Sequence, residues 1–326
     1  MQKRSTQIAD LNLLLTLFIV TLHSLYNPDR TIFQDSDILY ISCYNALVTL
    51  FDSAVPTFFV ISSFLFFRNL SNSQIIVKIK KRFKSLIIPY LIFSTTFAGI
   101  FIFVESIIGS KQYPVEILLW DIYKATYDPP IWYLRTLFYF VLISPVIFFL
   151  YTKINKHICI GICILTLILN YIHHFPYDSL LFWLPSLLIG AFFGLNYPYA
   201  YDKIKLNHNA LSICILLFFV LIYITSQYNQ NSNIYYSYRI ISSLFIIPIS
   251  FSIIQFKSIK LHEYTFFVYM IHYVIIRIIS YPLPSEATII SILFRPFAAI
   301  LLCFFIAYIT KKILPRSIWE TLNGNR

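Results

Sequence analysis

Charge is what this sequence has least of. Asp, Glu, Lys and Arg together make up 12% of its 326 residues, where soluble domains carry about a quarter, so a water-soluble globular fold is excluded. Acidic residues are the scarcer sign, 14 against 25 basic, for a formal net charge of +11. That surplus would suit nucleic acid, but the positive residues fall in short connections between apolar segments. Such a distribution is the orientation signal of membrane proteins, and no nucleic-acid partner is expected. Glycine is rare, six in the whole chain, which argues against the closely packed, glycine-lined interfaces of a rocking transporter. Of five cysteines, Cys159, Cys163, Cys214 and Cys303 fall inside apolar segments and Cys43 near the end of a connection. They give no disulfide framework and no ligand spacing with nearby histidines, so no metal site is expected.

What the chain has in abundance is apolar surface. Hydrophobic residues make up 58% and mean hydropathy is +0.73. The expected fold is all-α: a polytopic membrane bundle of about ten spans, forming one membrane-embedded domain over 1–326. The spans are expected at 8–26, 44–67, 86–108, 131–151, 157–173, 180–196, 209–226, 236–255, 264–281 and 288–314. The connections 27–43 and 109–130 have room for a short helix or lid and no more. The start, MQKRSTQ, has the charge of a signal peptide, but a long apolar run without a small-residue cleavage site follows, which reads as an uncleaved anchor. Alternate connections, counted from the N-terminus, hold eighteen Lys and Arg; the others hold only Arg30, Lys111 and Lys124. Both termini are therefore assigned to the cytoplasm, as an even number of spans requires, in a multi-pass protein of the plasma or inner membrane.

The first segment, IADLNLLLTLFIVTLHSLY, sets Asn12 and His23 into apolar surroundings. Eleven helical steps return to within roughly 20° of the starting direction and rise roughly 16 Å, so the two share a face without touching. An ionisable group inside a membrane is costly and marks a functional-site hypothesis; a histidine bonded to a neighbouring helix for packing is the plainer alternative. The second span carries Asp52 in its outer half and Pro56, which bends the helix. The connection after it holds Arg68, Lys78, Lys80, Lys81, Arg82 and Lys84. These either set topology and attract anionic lipid or hold a phosphorylated cytoplasmic molecule.

Trp132 and Tyr133 open the fourth span as interfacial anchors, with Arg135 one turn inside, snorkelling or facing a cavity. His173 and His174 lie where the fifth span ends, and His157, His208 and His262 read as inert. Arg239 and, more so, Arg277 are candidates for the bundle interior. His272 falls near mid-membrane, either as a neutral bonded imidazole or as a substrate contact, and two histidines are too few for a closed zinc site.

Taken together, these stretches resemble membrane-bound acyltransferase family 3, the integral membrane acyl-CoA transferases that modify glycans and other acceptors. The first span matches the family's basic residue, ten intervening residues and histidine, with His23 in the histidine position. AVPTFFVISSFLFFRN is similar to its P-x-F-F-x-x-S-G-F-L block from Pro56 through Ser62 to Leu65. KRFKSLIIPY resembles R-x-x-x-L-x-x-P-Y, with Arg82, Pro89 and Tyr90. IWYLRTL resembles the W-F-L segment, and FFVYMIHYVI the late Y-x-x-H segment with Tyr269 and His272. Two positions depart: Asn12 stands where the family usually has arginine, as in related lysosomal-type transferases, and Ser63 replaces the glycine after Ser62.

The resemblance implies an acyl-CoA donor, acetyl-CoA first, held at the cytoplasmic side by Arg82, Lys81, Arg68 and Lys84. The pantetheine arm would run past Asn12 to His23, which serves as general base on an acceptor hydroxyl or as acyl carrier. His272, Tyr269, Trp132 and Arg135 are expected on the substrate side; Asp52, outside the family's motifs, joins them on its depth alone, able to orient His23 or to stabilise its protonated form. Membrane lipid surrounds the chain, and the acceptor is a cell-surface glycan or related carbohydrate. No appended hydrolase-like domain is seen, so transfer finishes within this bundle or with a separate envelope partner. A glycan exporter or solute transporter is the rival reading, and a sensor or scaffold without chemistry is a third.

Overall fold

The structure is a computed structural model, and it describes residues 2–25, 38–108, 115–254, 260–280 and 289–324. Among them secondary structure is helical throughout: α1 (Gln2–Leu25), α2 (Ile38–Asp52), α3 (Ala54–Phe67), α4 (Ile75–Arg82), α5 (Ile88–Ile108), α6 (Val115–Lys124), α7 (Trp132–Lys153), α8 (Lys156–His173), α9 (Leu180–Asn196), α10 (Ala200–Lys203), α11 (His208–Ser226), α12 (Asn233–Ile253), α13 (Thr265–Ser280), α14 (Ile289–Ile313) and α15 (Arg316–Leu322). Nine helical stretches among the described residues are long and apolar enough to cross a membrane. The sixth expected span is the 17-residue α9, shorter than these nine. Residues 26–37, most of the connection expected at 27–43, lie outside the described residues. The chain is a multi-pass membrane protein, and "inner" below means the Lys- and Arg-rich end.

The first segment is integral to the bundle. α1 packs against α2, α3, α13 and α14, with Leu11, Leu15, Ile19 and Val20 buried among them. The second span is broken at Ser53 into α2 and α3. Pro56 has no N–H for the Asp52 carbonyl, and its ring crowds that oxygen in a regular helix. The chain turns instead, with Ser53 N donating to Leu50 O at 3.3 Å. The break leaves the buried Asp52 carboxylate beside Arg239, 2.7 Å away.

α3 and α9 form the most extensive pairing in the bundle, and glycine makes it possible. A Cβ on Gly190 would lie 2.2 Å from Val60 O and 2.8 Å from Ser63 Cβ; one on Gly194 would lie 2.7 Å from Phe64 O. The scarcity of glycine therefore misleads: two of the six are spent as a small-xxx-small pair that brings two backbones together. Ser63 donates to Leu187 O at 2.6 Å across the same contact.

The basic connection continues into the third span. α4 runs through one π-helical turn, Phe83–Ile87, into α5, and the widened turn accommodates Pro89. Lys78 caps α3, donating to Phe66 O at 2.7 Å and Arg68 O at 3.3 Å. The connection before α7 holds the short helix α6 and is tied down at two points. Tyr90, third residue of α5 and so at its inner end, donates to the Tyr123 carbonyl, and Tyr269 donates to Pro130 O. Tyr133, at the start of α7, pairs with Ser62 at 2.9 Å, nine residues or roughly 13 Å past the Ser53 break. The arm formed by α6 and the turn Pro129–Ile131 is folded back into the bundle. Irregular backbone is tolerated at that depth because protein groups satisfy its carbonyls.

The two interior arginine candidates exchange places. Arg239 is the buried one, and Arg277 is exposed, its guanidinium 4.6 Å from the Phe101 ring. An arginine near the end of a helix can keep its stem on apolar surface while its head reaches out.

Candidate functional site

Asn12, Thr16, Ile19 and His23 are spaced four, three and four apart on α1, which is one helical face. That face is the wall of a divided passage. Asn12 and Thr16 line an inner cavity of about 300 Å³, together with Ser62, Arg82 and Leu86. Ile19 and His23 line a chamber of about 50 Å³ with Val55, Pro130 and Trp132. Phe58, Tyr133 and Tyr269 belong to both walls, so these three rings form the neck between them. At its other end the inner cavity shares Arg82 and Leu65 with an open cavity of about 460 Å³ lined by Lys78, Lys81, Lys84 and Ser85. Polar groups thus run from the basic inner end to His23 along a line that starts at α4 and follows α1.

His23 is held by two bonds. Its Nδ1 lies 2.9 Å from Ile19 O, and a carbonyl only accepts, so this nitrogen carries a proton. The same Nδ1 is 3.2 Å from His272 Nε2. His272 Nδ1 lies 2.6 Å from Tyr269 O and by the same rule is the protonated nitrogen, which leaves His272 Nε2 as an acceptor for the His23 proton. His272 is fully buried and lines neither cavity. The consequence is chemical: in the neutral pair, His23 Nε2 keeps its lone pair. An imidazole fixed in one tautomer by a second group is the arrangement that a general base needs.

The remaining expected residues divide. Trp132 lies against Phe59, Tyr177 and Trp183, with ring centroids 6.1, 5.3 and 6.1 Å away, and walls the chamber. Lys81 and Lys84 are exposed at the mouth of the inner cavity. Arg68 instead stands over the Phe64 and Tyr199 rings, 5.9 and 5.7 Å away, and is not among the cavity-lining residues. Arg135 is buried as a clamp, with Nη1 donating to Tyr123 O at 2.6 Å and Nη2 to Asp178 at 2.8 Å; it faces no part of the passage. Asp52 accepts from Arg239 at 2.7 Å and from Tyr177 at 3.3 Å; no hydrogen bond to His23 joins these contacts. His173 and His174 are exposed, and His262 Nδ1 lies 3.7 Å from Asp10.

Sequence reading missed Thr16 and Ile19, which the Asn12–His23 spacing would have included, and Phe58 and Tyr177. Phe58 sits in the resembling block, but Tyr177 lies in a connection with no periodic signal.

The comparisons bear on what this passage belongs to. The family model described as an acyltransferase domain matches residues 11–311, a stretch that contains Asn12, His23, Arg82, the neck and His272. No curated protein and no solved structure matches the chain. With the match running over nearly its whole length, the chain belongs to membrane-bound acyltransferase family 3 and is a membrane acyltransferase.

Proposed function

We propose that this protein moves an acetyl group from cytoplasmic acetyl-CoA to a hydroxyl of a cell-surface carbohydrate, in the plasma or inner membrane. The observation that carries the reading is the divided passage from Arg82 to His23. Arg82 and Lys81 hold the phosphates of the donor by charge-assisted bonds, and the thin pantetheine arm lies in the inner cavity beside Asn12. Asn12 carries no charge, so it serves the arm through its amide while Arg82 supplies the cation. The thioester reaches the chamber through the neck of Phe58, Tyr133 and Tyr269.

His23 Nε2 takes the proton of the acceptor hydroxyl as its oxygen attacks the thioester carbonyl. The new C–O bond forms, the C–S bond breaks, and the CoA thiolate leaves with the proton returned by His23. The size of the chamber supports a short acyl group. One water needs about 10–15 Å³ of such space, so about 50 Å³ accommodates about three to five heavy atoms, and an acetyl group has three.

The test is purified protein in lipid nanodiscs with labelled acetyl-CoA and a carbohydrate acceptor. Label on the acceptor with release of CoA is expected, and its loss in His23→Ala with the fold retained. Full transfer by His23→Ala, or solute flux across vesicles without CoA release, would overturn the reading.

A further inference from the structure

A fourth cavity, of about 340 Å³, opens on the outer side between the α8–α9 and α11–α12 connections, and no step above uses it. Its lining combines the amides of Gln230, Asn231 and Asn233 with the rings of Tyr177, Phe182 and Tyr236. Among the described residues the side-chain amides of Gln230, Asn231 and Asn233 make no hydrogen bond with the protein. Each offers one acceptor and two donors to whatever enters. Asn170, also in the wall, is committed, its Oδ1 accepting from Phe175 N at 3.1 Å.

The arginine of the cavity is matched in place, and the other basic side chain in the wall is the exposed His174 imidazole. The arginine, Arg239, is paired with Asp52 at 2.7 Å, donates to Gln230 O at 3.1 Å, and lies 4.7 Å from the centres of both the Tyr177 and Tyr235 rings. A phosphate or carboxylate would find that guanidinium already matched. Free amides beside flat rings, with the guanidinium already matched, suit a neutral polyhydroxylated ring: hydroxyls bond to amides and to the His174 imidazole, and the apolar face of the ring covers an aromatic side chain.

The cavity is also placed to serve His23. Tyr177 lines both it and the His23 chamber, so one side chain separates the two spaces. That side chain packs between Trp132 and Trp183, with centroids 5.3 and 5.1 Å away.

We propose that the outer cavity is a binding site for a neutral sugar ring, the acceptor subsite, which presents one hydroxyl past Tyr177 toward His23. The role as acceptor subsite rests on the reading of His23 given above; the sugar site itself does not. The full chain in nanodiscs is titrated with methyl β-D-glucopyranoside and methyl N-acetyl-β-D-glucosaminide, with binding followed by saturation-transfer NMR and CoA release from acetyl-CoA measured separately. Saturable binding to the unmodified chain is expected. It should weaken at least about tenfold in the combined Gln230→Ala, Asn231→Ala, Asn233→Ala variant and vanish in Asn231→Trp, which fills the space, while acetyl-CoA binding in both stays unchanged and certifies the fold. Absence of saturable binding to the unmodified chain, or equal binding by the triple variant, overturns the inference even where CoA is released. Sugar binding that is lost in the variants, from a protein that never releases CoA, would leave the sugar site standing and remove the transferase reading instead.

Discussion

His272 stands behind His23, with Nε2 3.2 Å from the Nδ1 of its neighbour and no part in the chamber wall. Under the proposed chemistry it would hold the His23 ring, sharing the Nδ1 proton with Ile19 O at 2.9 Å. His272→Phe keeps volume and removes one of the two acceptors of the His23 Nδ1 proton, leaving Ile19 O. The expected loss is about 10²-fold in kcat, the scale of a misplaced catalytic group, with little change in donor KM. The decisive measurement is the cycle with His23→Ala. Residues acting as one unit are strongly non-additive, so the double variant should be no slower than His23→Ala alone. Independent, multiplying losses would assign His272 a separate task.

The cations at the inner end should rank by their place in the passage. Arg82 lines both the open cavity and the inner one, Lys81 is exposed at the mouth, and Arg68 lies over Phe64 and Tyr199. A hydrogen bond to a charged group contributes about 1.5–3 kcal/mol, so Arg82→Gln should raise donor KM about 10- to 100-fold. Lys81→Gln should raise it only a few-fold and lose that effect at high salt, as exposed charges do. Arg68→Gln should leave it unchanged. Steady-state kinetics with the acceptor saturating would show the order, and equal effects from all three would reduce the cluster to a topology signal.

Much of this was open to inspection in the sequence. The apolar runs gave the spans, because a helix that must satisfy its backbone in lipid leaves an unbroken apolar stretch. The eleven-residue spacing of Asn12 and His23 gave the face that lines the passage. Arg239 and Arg277 stand in the reverse order because an apolar run gives the span and not its buried face: α12 turns Arg239 inward with Ser242, Ser243 and Ser250, whereas Arg277 lies in the last turn of α13. The folded-back arm was hidden for a different reason. Its place is set by bonds from Tyr90 and Tyr269 to backbone carbonyls, and a carbonyl has no signature in sequence. The glycine count hid the α3–α9 contact because position, four residues apart on one face, matters there more than number.

That contact makes a stability prediction with an internal control. An alanine at Gly190 puts its Cβ 2.2 Å from a backbone oxygen, which only separation of α3 and α9 can relieve. Overpacking of this kind costs about 1–3 kcal/mol or more, so Gly190→Ala should lower the thermal midpoint in detergent by several degrees or prevent accumulation of the protein. Ser63→Gly removes the bond to Leu187 O and restores the residue usual in the family, at a cost of about 1 kcal/mol. Ser63→Gly should also partly rescue Gly190→Ala, because Ser63 Cβ is the second atom the new methyl meets. Scanning fluorimetry of the three variants checks this, and absence of any rescue would place the whole penalty on the Val60 carbonyl.

Asp128 closes the arm just before α7 and is almost wholly buried, with both carboxylate oxygens unpartnered among the described residues. Burial pushes its carboxyl well above the usual carboxylate range, because the charged form loses hydration and gains no bond in return. The sign follows from proton linkage. Between the unfolded and the raised folded value the native protein holds a proton that the unfolded chain has lost, so the stability contributed by Asp128 falls as pH rises through that window. Asp128→Asn is nearly isosteric and cannot ionise. It should therefore raise the thermal midpoint, with a gain small near pH 5 and larger at pH 8, and leave donor KM unchanged because Asp128 lines neither cavity of the passage. Melting curves of the two proteins across that pH range test it. A gain independent of pH would mean that the carboxyl does not change its charge there, and a loss of stability would mean that the carboxylate has a partner that the asparagine cannot satisfy.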